Sequence, residues 1–250
     1  MLNHDFEPRI TQIMLKKTIR ISVWGLGLGL LLFFLLYKGY LRFNYPSSEE
    51  FPVRGIDISH HQGEIRWDEL KKEAIEFVFI KATEGGDFTD PKFADNWRNA
   101  QKNNYHVGAY HFYRICKNGK EQAENFIRIV PKTPDNLPPV IDLEFGGNCK
   151  ADKTKEQIRS EIQDCLDRLE KHYTQTPILY ATTQFYAEYI KNEFSEYPIW
   201  IRNIYRRPKL PDKRAWTFWQ FANRGHLKGI DGYTDLNIFN GTIQDLLELK

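Results

Sequence analysis

The stretch VIDLEF, Val140 to Phe145, lies between Pro138–Pro139 and Gly146–Gly147. Its β-branched and aromatic residues, bounded by these breakers, predict a short buried strand. Yet it carries two acids, Asp142 and Glu144. Residues i and i+2 of a strand point to the same face, so both carboxyl groups enter one space. Like charges held together in a partly dry site push each other's pKa apart. That opposes folding and suits acid–base chemistry. An isolated Asp-x-Glu is more often a solvated edge; the apolar flanks argue otherwise here.

The same alternation extends outward in both directions. VRGIDIS (53–59), FVFIKAT (77–83), VGAYHFY (107–113) and PILYAT (177–182) predict further strands. Between them lie helical patterns. Trp67, Leu70, Ala74 and Ile75 mark the first. Phe93, Trp97 and Ala100 mark the second, after an Asp90-Pro91 start. Ala123, Phe126, Ile127 and Val130 form the third stripe. Ile158, Ile162, Cys165, Leu166 and Leu169 form the fourth, behind a capping box at Thr154 and Gln157. A short helix is expected at TQFYAEYI (183–190). YPIWIRN, AWTFWQFA and TDLNIF then follow with no long helix between them. The expected fold is α/β: a flattened, incomplete TIM-like barrel of five βα units followed by three β-strands.

Catalytic groups of α/β barrels sit at the C-terminal ends of strands. The ends here carry Asp57, Glu84, Tyr110, His111, Asp142, Glu144, Tyr180, Trp219, Gln220 and Asp235, with Lys81, Trp200, Arg202 and Asn203 nearby. Acids from separate strands among aromatic rings suit a sugar-cleaving cleft. Rings stack on pyranose faces, and acids move protons and stabilise an oxocarbenium-like centre. Asp57, Asp142, Glu144 and Asp235 are thus candidate cleft acids, as is Glu84. Glu84, Tyr110, His111, Tyr180, Trp219 and Gln220 are candidate substrate contacts.

Residues 21–37, ISVWGLGLGLLLFFLLY, contain no charge over 17 positions. That is the low end for a membrane span and above the usual signal-peptide core. No small-x-small cleavage site follows, so an uncleaved signal anchor is expected, with a cleaved signal peptide as the alternative. Lys16, Lys17 and Arg20 precede it against Lys38 and Arg42 after it, which weakly favours an inside N-terminus. The expected organisation is a cytoplasmic segment 1–20, the span 21–37, a linker 38–52 and one exported domain 53–250 on the outer side of the cytoplasmic membrane. Gly25, Gly27 and Gly29 follow no strand and do not read as a phosphate loop.

Net charge is +2 over 250 residues. The first 53 residues hold six Lys/Arg and four Asp/Glu, leaving 29 of each sign in the remainder. That balance gives no argument for a nucleic-acid partner. Three cysteines without a CxxC pair give no structural zinc pattern. Cys165 reads as buried on a helix. Cys116 and Cys149 both follow predicted strands, so either a bridge or two separate thiols is possible. His60 and His61 are neighbours on an extended chain, where side chains diverge, and no metal or other cofactor is expected.

Five blocks resemble glycoside hydrolase family 25, the Chalaropsis-type lysozymes or N-acetylmuramidases. They are GIDISHHQG (55–63), FIKATEGGDFTD (79–90), GAYHFYR (108–114), VIDLEF (140–145) and DLNIFNG (235–241). The resemblance implies cleavage of the β-1,4 bond between N-acetylmuramic acid and N-acetylglucosamine in peptidoglycan glycan strands. It implies that Glu144 is the general acid/base and that Asp142 orients or stabilises the reacting centre, with Asp57 and Asp235 the other cleft acids. It also implies a retaining outcome, by a carboxylate nucleophile or by the substrate's own 2-acetamido group. Two same-face acids on one strand can hardly flank a bond from opposite sides, which favours the second. Arg202 stands where relatives often carry a small residue. The competing readings are a tethered, catalytically weak wall-binding module and a glycosidase acting on another N-acetylated glycan.

Overall fold

The computed structural model describes residues 7–250, so residues 1–6 of the expected cytoplasmic segment lie outside the described part. The chain forms two compact units that meet in sequence at Arg42 and Phe43. The first contains one helix, α1 (Glu7–Lys38), longer than the apolar run alone predicts. Its Ile13–Lys38 portion is long and apolar enough to cross a membrane.

The second unit is built on one nine-stranded sheet. Its strands are β1 (Arg54–Ile58), β2 (Phe77–Glu84), β3 (Phe88–Thr89), β4 (His106–Phe112), β5 (Val140–Leu143), β6 (Ile178–Thr182), β7 (Ile199–Arg202), β8 (Phe218–Gly225) and β9 (Thr234–Phe239). β3 is a two-residue strand lying antiparallel on the end of β2, a feature with too few residues to read from sequence. The other strands close into a barrel, because β1 pairs with β2 in parallel and with β9 antiparallel. β2, β4, β5, β6, β7 and β8 run parallel in that order. β9 turns back between β8 and β1. The expected five βα units and three terminal strands are therefore present, with the sheet closed.

The helices are α2 (Trp67–Leu70), α3 (Phe93–Lys102), α4 (Gly119–Ile129), α5 (Lys155–Tyr173), α6 (Thr183–Phe185, continued by a wider turn over Tyr186–Ile190) and α7 (Ile243–Leu247). α2 is shorter than the Trp67–Ile75 spacing suggests: it buries Trp67 and Leu70, ends with Lys71 as its C-cap, and gives way to tighter turns in which Lys72 and Glu73 N–H donate to the Glu69 and Leu70 carbonyls. α5 begins with the expected capping box, Thr154 accepting from the Gln157 N–H. Residues 43–52, expected as linker, belong to the barrel unit. Asn44 Nδ2 donates to the Ile204 and Phe221 carbonyls at 2.7 and 2.9 Å, and Phe51 is buried beside Trp216.

Alternation along the strands separates two cores. Side chains such as Ile56, Val78, Ile80, Ala109, Ile141 and Leu179 pack against the helices. Phe77, Phe79, Val140, Ile178, Trp200, Phe218 and Phe239 fill the barrel interior. These rings form the floor beneath the strand ends. Gly55 and Gly108 make room for them: a Cβ at Gly55 would lie 2.2 Å from the Phe77 ring, and one at Gly108 would lie 2.3 Å from Phe79. Overpacking a close-packed interior costs about 1–3 kcal/mol. Gly108→Ala is therefore expected to lower unfolding stability by about that amount, measured by urea titration of the full chain in detergent.

Candidate active site

Above the aromatic floor, the C-terminal ends of the parallel strands and the start of antiparallel β9 enclose a cleft of about 500 Å³. The same alternation that buries Val140 on the floor brings Asp142 and then Glu144 into the mouth. Asp57 from β1, Asp235 from β9, Tyr110 from β4, Tyr180 from β6 and Gln220 from β8 also line it. All four candidate catalytic acids thus face one space.

Asp57 and Asp235 are opposite each other across the closing β1–β9 pair. Asp57 Oδ2 accepts from Asn237 Nδ2 at 2.7 Å and from Gln220 Nε2 at 3.0 Å. Those amides are themselves oriented. Tyr180 Oη donates to Gln220 Oε1 at 2.8 Å, and Trp200 Nε1 donates to Asn237 Oδ1 at 2.9 Å. Burial raises the Asp57 pKa, while hydrogen bonds from Asn237, Gln220 and Asp235 oppose the rise. Burial and the charge of Asp57 push Asp235 well above the usual carboxylate range. The arrangement favours anionic Asp57 accepting a proton-bearing contact from Asp235.

The Asp142–Glu144 pair is also split. Burial, then the charges of Glu144 and Asp57, raise Asp142 well above the ordinary carboxylate value. Burial raises Glu144 as well, with Arg202 opposing the rise. In the unliganded chain, burial and mutual repulsion therefore favour one proton shared by the pair over two charges, with the stronger upward push on Asp142. Asp142 Oδ1 is buried and has no hydrogen-bond partner.

His111 and Trp219 do not reach the cleft. Each neighbours a residue that does, and adjacent strand residues point to opposite faces. His111 is buried toward α4, where its ring nitrogens contact Thr83 Oγ1 at 2.7 Å and Gln122 Oε1 at 3.2 Å. Burial lowers its pKa to about 4, so it is a neutral packing group. Trp219 is buried outside the barrel, where Nε1 donates to the Asn203 carbonyl at 2.8 Å. Glu84 touches the site through Lys81, accepting from Nζ at 2.7 Å.

Lys81, Arg202, Trp200 and His61 line the cleft although the strand-end reading did not select them as contacts. Strand phase gives them away: Lys81 follows Phe79 by two, and Arg202 follows Trp200 by two. The His60 and His61 rings do not diverge; their centroids are 4.0 Å apart, and His60 Nδ1 lies 2.7 Å from Asp90. Among the described residues, no three His, Cys, Asp or Glu side chains are placed to hold one metal ion, the four cleft acids included.

A closed α/β barrel with four carboxyl groups and flanking tyrosines in one mouth, at the C-terminal ends of its parallel strands and the start of antiparallel β9, has the layout of a glycoside hydrolase. The family model for "Glycosyl hydrolases family 25" matches residues 56–230, and the chain belongs to that family. It is 35% identical over 201 residues to YegX of Escherichia coli K12, covering 78% of this chain and 72% of that protein. It is 34% identical over 209 residues to Lysozyme M1 of Streptomyces globisporus, covering 79% and 71%. The structure of a family 25 glycosyl hydrolase from Bacillus anthracis superposes with a TM-score of 0.78 at 43% identity, covering 83% of this chain and 98% of that one.

The raised pKa of Asp142 makes a signed prediction. Folding favours its protonated form. Its contribution to stability is therefore full below the unfolded value near 3.8 and is lost as pH rises through the folded value. Asp142→Asn is expected to raise Tm at neutral pH, each kcal/mol appearing as about 2–4 °C. The gain should shrink as the pH approaches 4 and below. Thermal melts across pH check both points.

Proposed function

We propose that the chain is a muramidase that hydrolyses the β-1,4 bond between N-acetylmuramic acid and N-acetylglucosamine in peptidoglycan. Family 25 membership and the likeness to Lysozyme M1 support peptidoglycan as the substrate. The observation that carries the mechanism is the buried, unpartnered Oδ1 of Asp142, two residues from Glu144 on the same face. A buried carboxylate oxygen without a donor is costly unless a ligand supplies one. The 2-acetamido N–H of the substrate is such a donor.

In this reading, the acetamido N–H donates to Asp142, which favours its carboxylate form, and water leaving the cleft favours the neutral form of Glu144. The pair's proton then resides on Glu144. Glu144 gives that proton to the glycosidic oxygen as the C1–O bond breaks. The acetamido oxygen attacks C1, and Asp142 stabilises the positive ring that forms. Glu144, now a carboxylate, takes a proton from water as that water opens the ring at C1. Two displacements at C1 retain its configuration. Asp57, Asp235, Tyr110, Tyr180 and Gln220 shape the subsite.

Helix α1 is read as an uncleaved signal anchor with its N-terminus inside and the barrel on the wall side. With residues 43–52 packed in the barrel unit, little chain separates anchor from enzyme. Such a tether restricts cutting to nearby wall and suits local remodelling.

Detergent-solubilised full chain should release new reducing N-acetylmuramic acid ends from purified peptidoglycan. Glu144→Gln should lower kcat by about 10²–10⁴-fold, the usual contribution of general acid–base catalysis. Mass analysis of the released ends decides: reducing N-acetylglucosamine ends would assign a different bond, and an active Glu144→Gln enzyme would remove Glu144 from its role.

A further inference from the structure

Glu144 lies one residue beyond the end of β5, before Gly146 and Gly147, and Gly147 has a φ of +70°. On the β4 side, the ladder stops at Asp142, opposite Phe112. The residue assigned to proton transfer is therefore not held by the sheet.

What holds it is a seam between the exits of β4 and β5. The Tyr113 N–H donates to the Asp142 carbonyl at 3.0 Å, extending the ladder by one bond. The Asn148 side chain continues where that stops. Nδ2 donates to the Glu144 carbonyl at 2.9 Å and to the Tyr113 carbonyl at 2.8 Å. Oδ1 accepts from the Ile115 N–H at 3.0 Å and the Cys149 N–H at 2.9 Å. An asparagine amide has two N–H donors and two lone pairs, and all four are used. The Cys116–Cys149 disulfide then joins the same two segments, 33 residues apart in sequence, with Cα atoms 5.9 Å apart. It is adjacent to Asn148 on one side and to Ile115 on the other.

We propose that Asn148 is a positioning residue for Glu144 and that the Cys116–Cys149 disulfide locks its grip, tying turnover to the oxidised state of the chain. The proposal rests on the catalytic role given to Glu144 above. Reduction by a dithiol breaks the S–S bond. Two electrons and two protons pass to Cys116 and Cys149, and the dithiol becomes a disulfide. Asn148 then loses the covalent tie beside it, and the segment carrying Glu144 is fastened by hydrogen bonds alone. Disulfides persist in oxidising compartments outside the cytosol, so such an enzyme gains full activity after export.

The test measures kcat, KM and Tm of the full chain in detergent on soluble, uncrosslinked glycan strands. The variants are Asn148→Ala, Asn148→Asp and the double variant Cys116→Ala/Cys149→Ala, and native chain is also assayed with dithiothreitol. A misplacement near 1 Å can cost about 10²-fold. Asn148→Ala and the double variant are expected to lose about 10- to 100-fold in kcat, with KM held within about twofold. Asn148→Asp, which keeps the acceptor and loses both donors, should also lower kcat. Dithiothreitol should lower kcat of the native chain and leave the double variant unaffected. A fall in Tm with kcat unchanged below the melt would make the seam merely structural and overturn the proposal. So would a change confined to KM. If Asn148→Ala does not fold, the double variant and the dithiothreitol arm decide by the same criteria. Inactivity of the untreated native chain would instead refute the muramidase reading itself, and the positioning proposal with it.

Discussion

Four carboxyl groups share one partly dry barrel mouth, and the rest of the site is arranged around that constraint. Water would normally stabilise each charge; here burial raises the pKa of all four. The barrel answers with unequal surroundings. Asp57 receives two amide donors, each fixed by a further donor from Tyr180 or Trp200. Asp142 receives none at Oδ1. Glu144 has the Arg202 charge acting on it. Four acids of similar intrinsic strength thereby acquire different proton affinities, the condition for dividing acid, base and stabilising roles among them.

Much of this was legible in the chain. VIDLEF announces its strand because apolar residues alternate with acids between prolines and glycines, and strand periodicity sends Asp142 and Glu144 the same way. The helices α3, α4 and α5 follow from their apolar stripes, and α5 also from its capping box. The choice of Tyr110 together with His111, and of Gln220 together with Trp219, set the same rule aside: neighbours on a strand cannot share a cleft. Phase would have kept Tyr110 and Gln220, dropped the other two and added Lys81 and Arg202. The Asp57–Asp235 contact was not legible, because it arises from sheet closure by an antiparallel last strand. Nor was the Asn148 seam, since a lone loop asparagine carries no periodic signal.

The structural features outside the cleft point to the same setting. An N-terminal apolar helix, a disulfide between two strand exits and a peptidoglycan-acting family all fit a domain working beyond the cytoplasm. Cys149 packs against the edge of an already extensive hydrophobic core. The disulfide lies at the rim, next to the one acid that extends past its strand.

The most direct measurement is a ¹³C titration of the Asp and Glu carboxyl groups, assigned with Asp142→Asn and Glu144→Gln, in the free chain and with an N-acetylglucosamine oligomer bound. In the free chain, Asp142 is expected to titrate above Glu144, and both above the ordinary carboxylate range. Binding of the 2-acetamido sugar should lower Asp142, raise Glu144 and invert their order. Ordinary titration of both groups, or an order that the bound sugar leaves unchanged, would contradict the division of roles between Asp142 and Glu144.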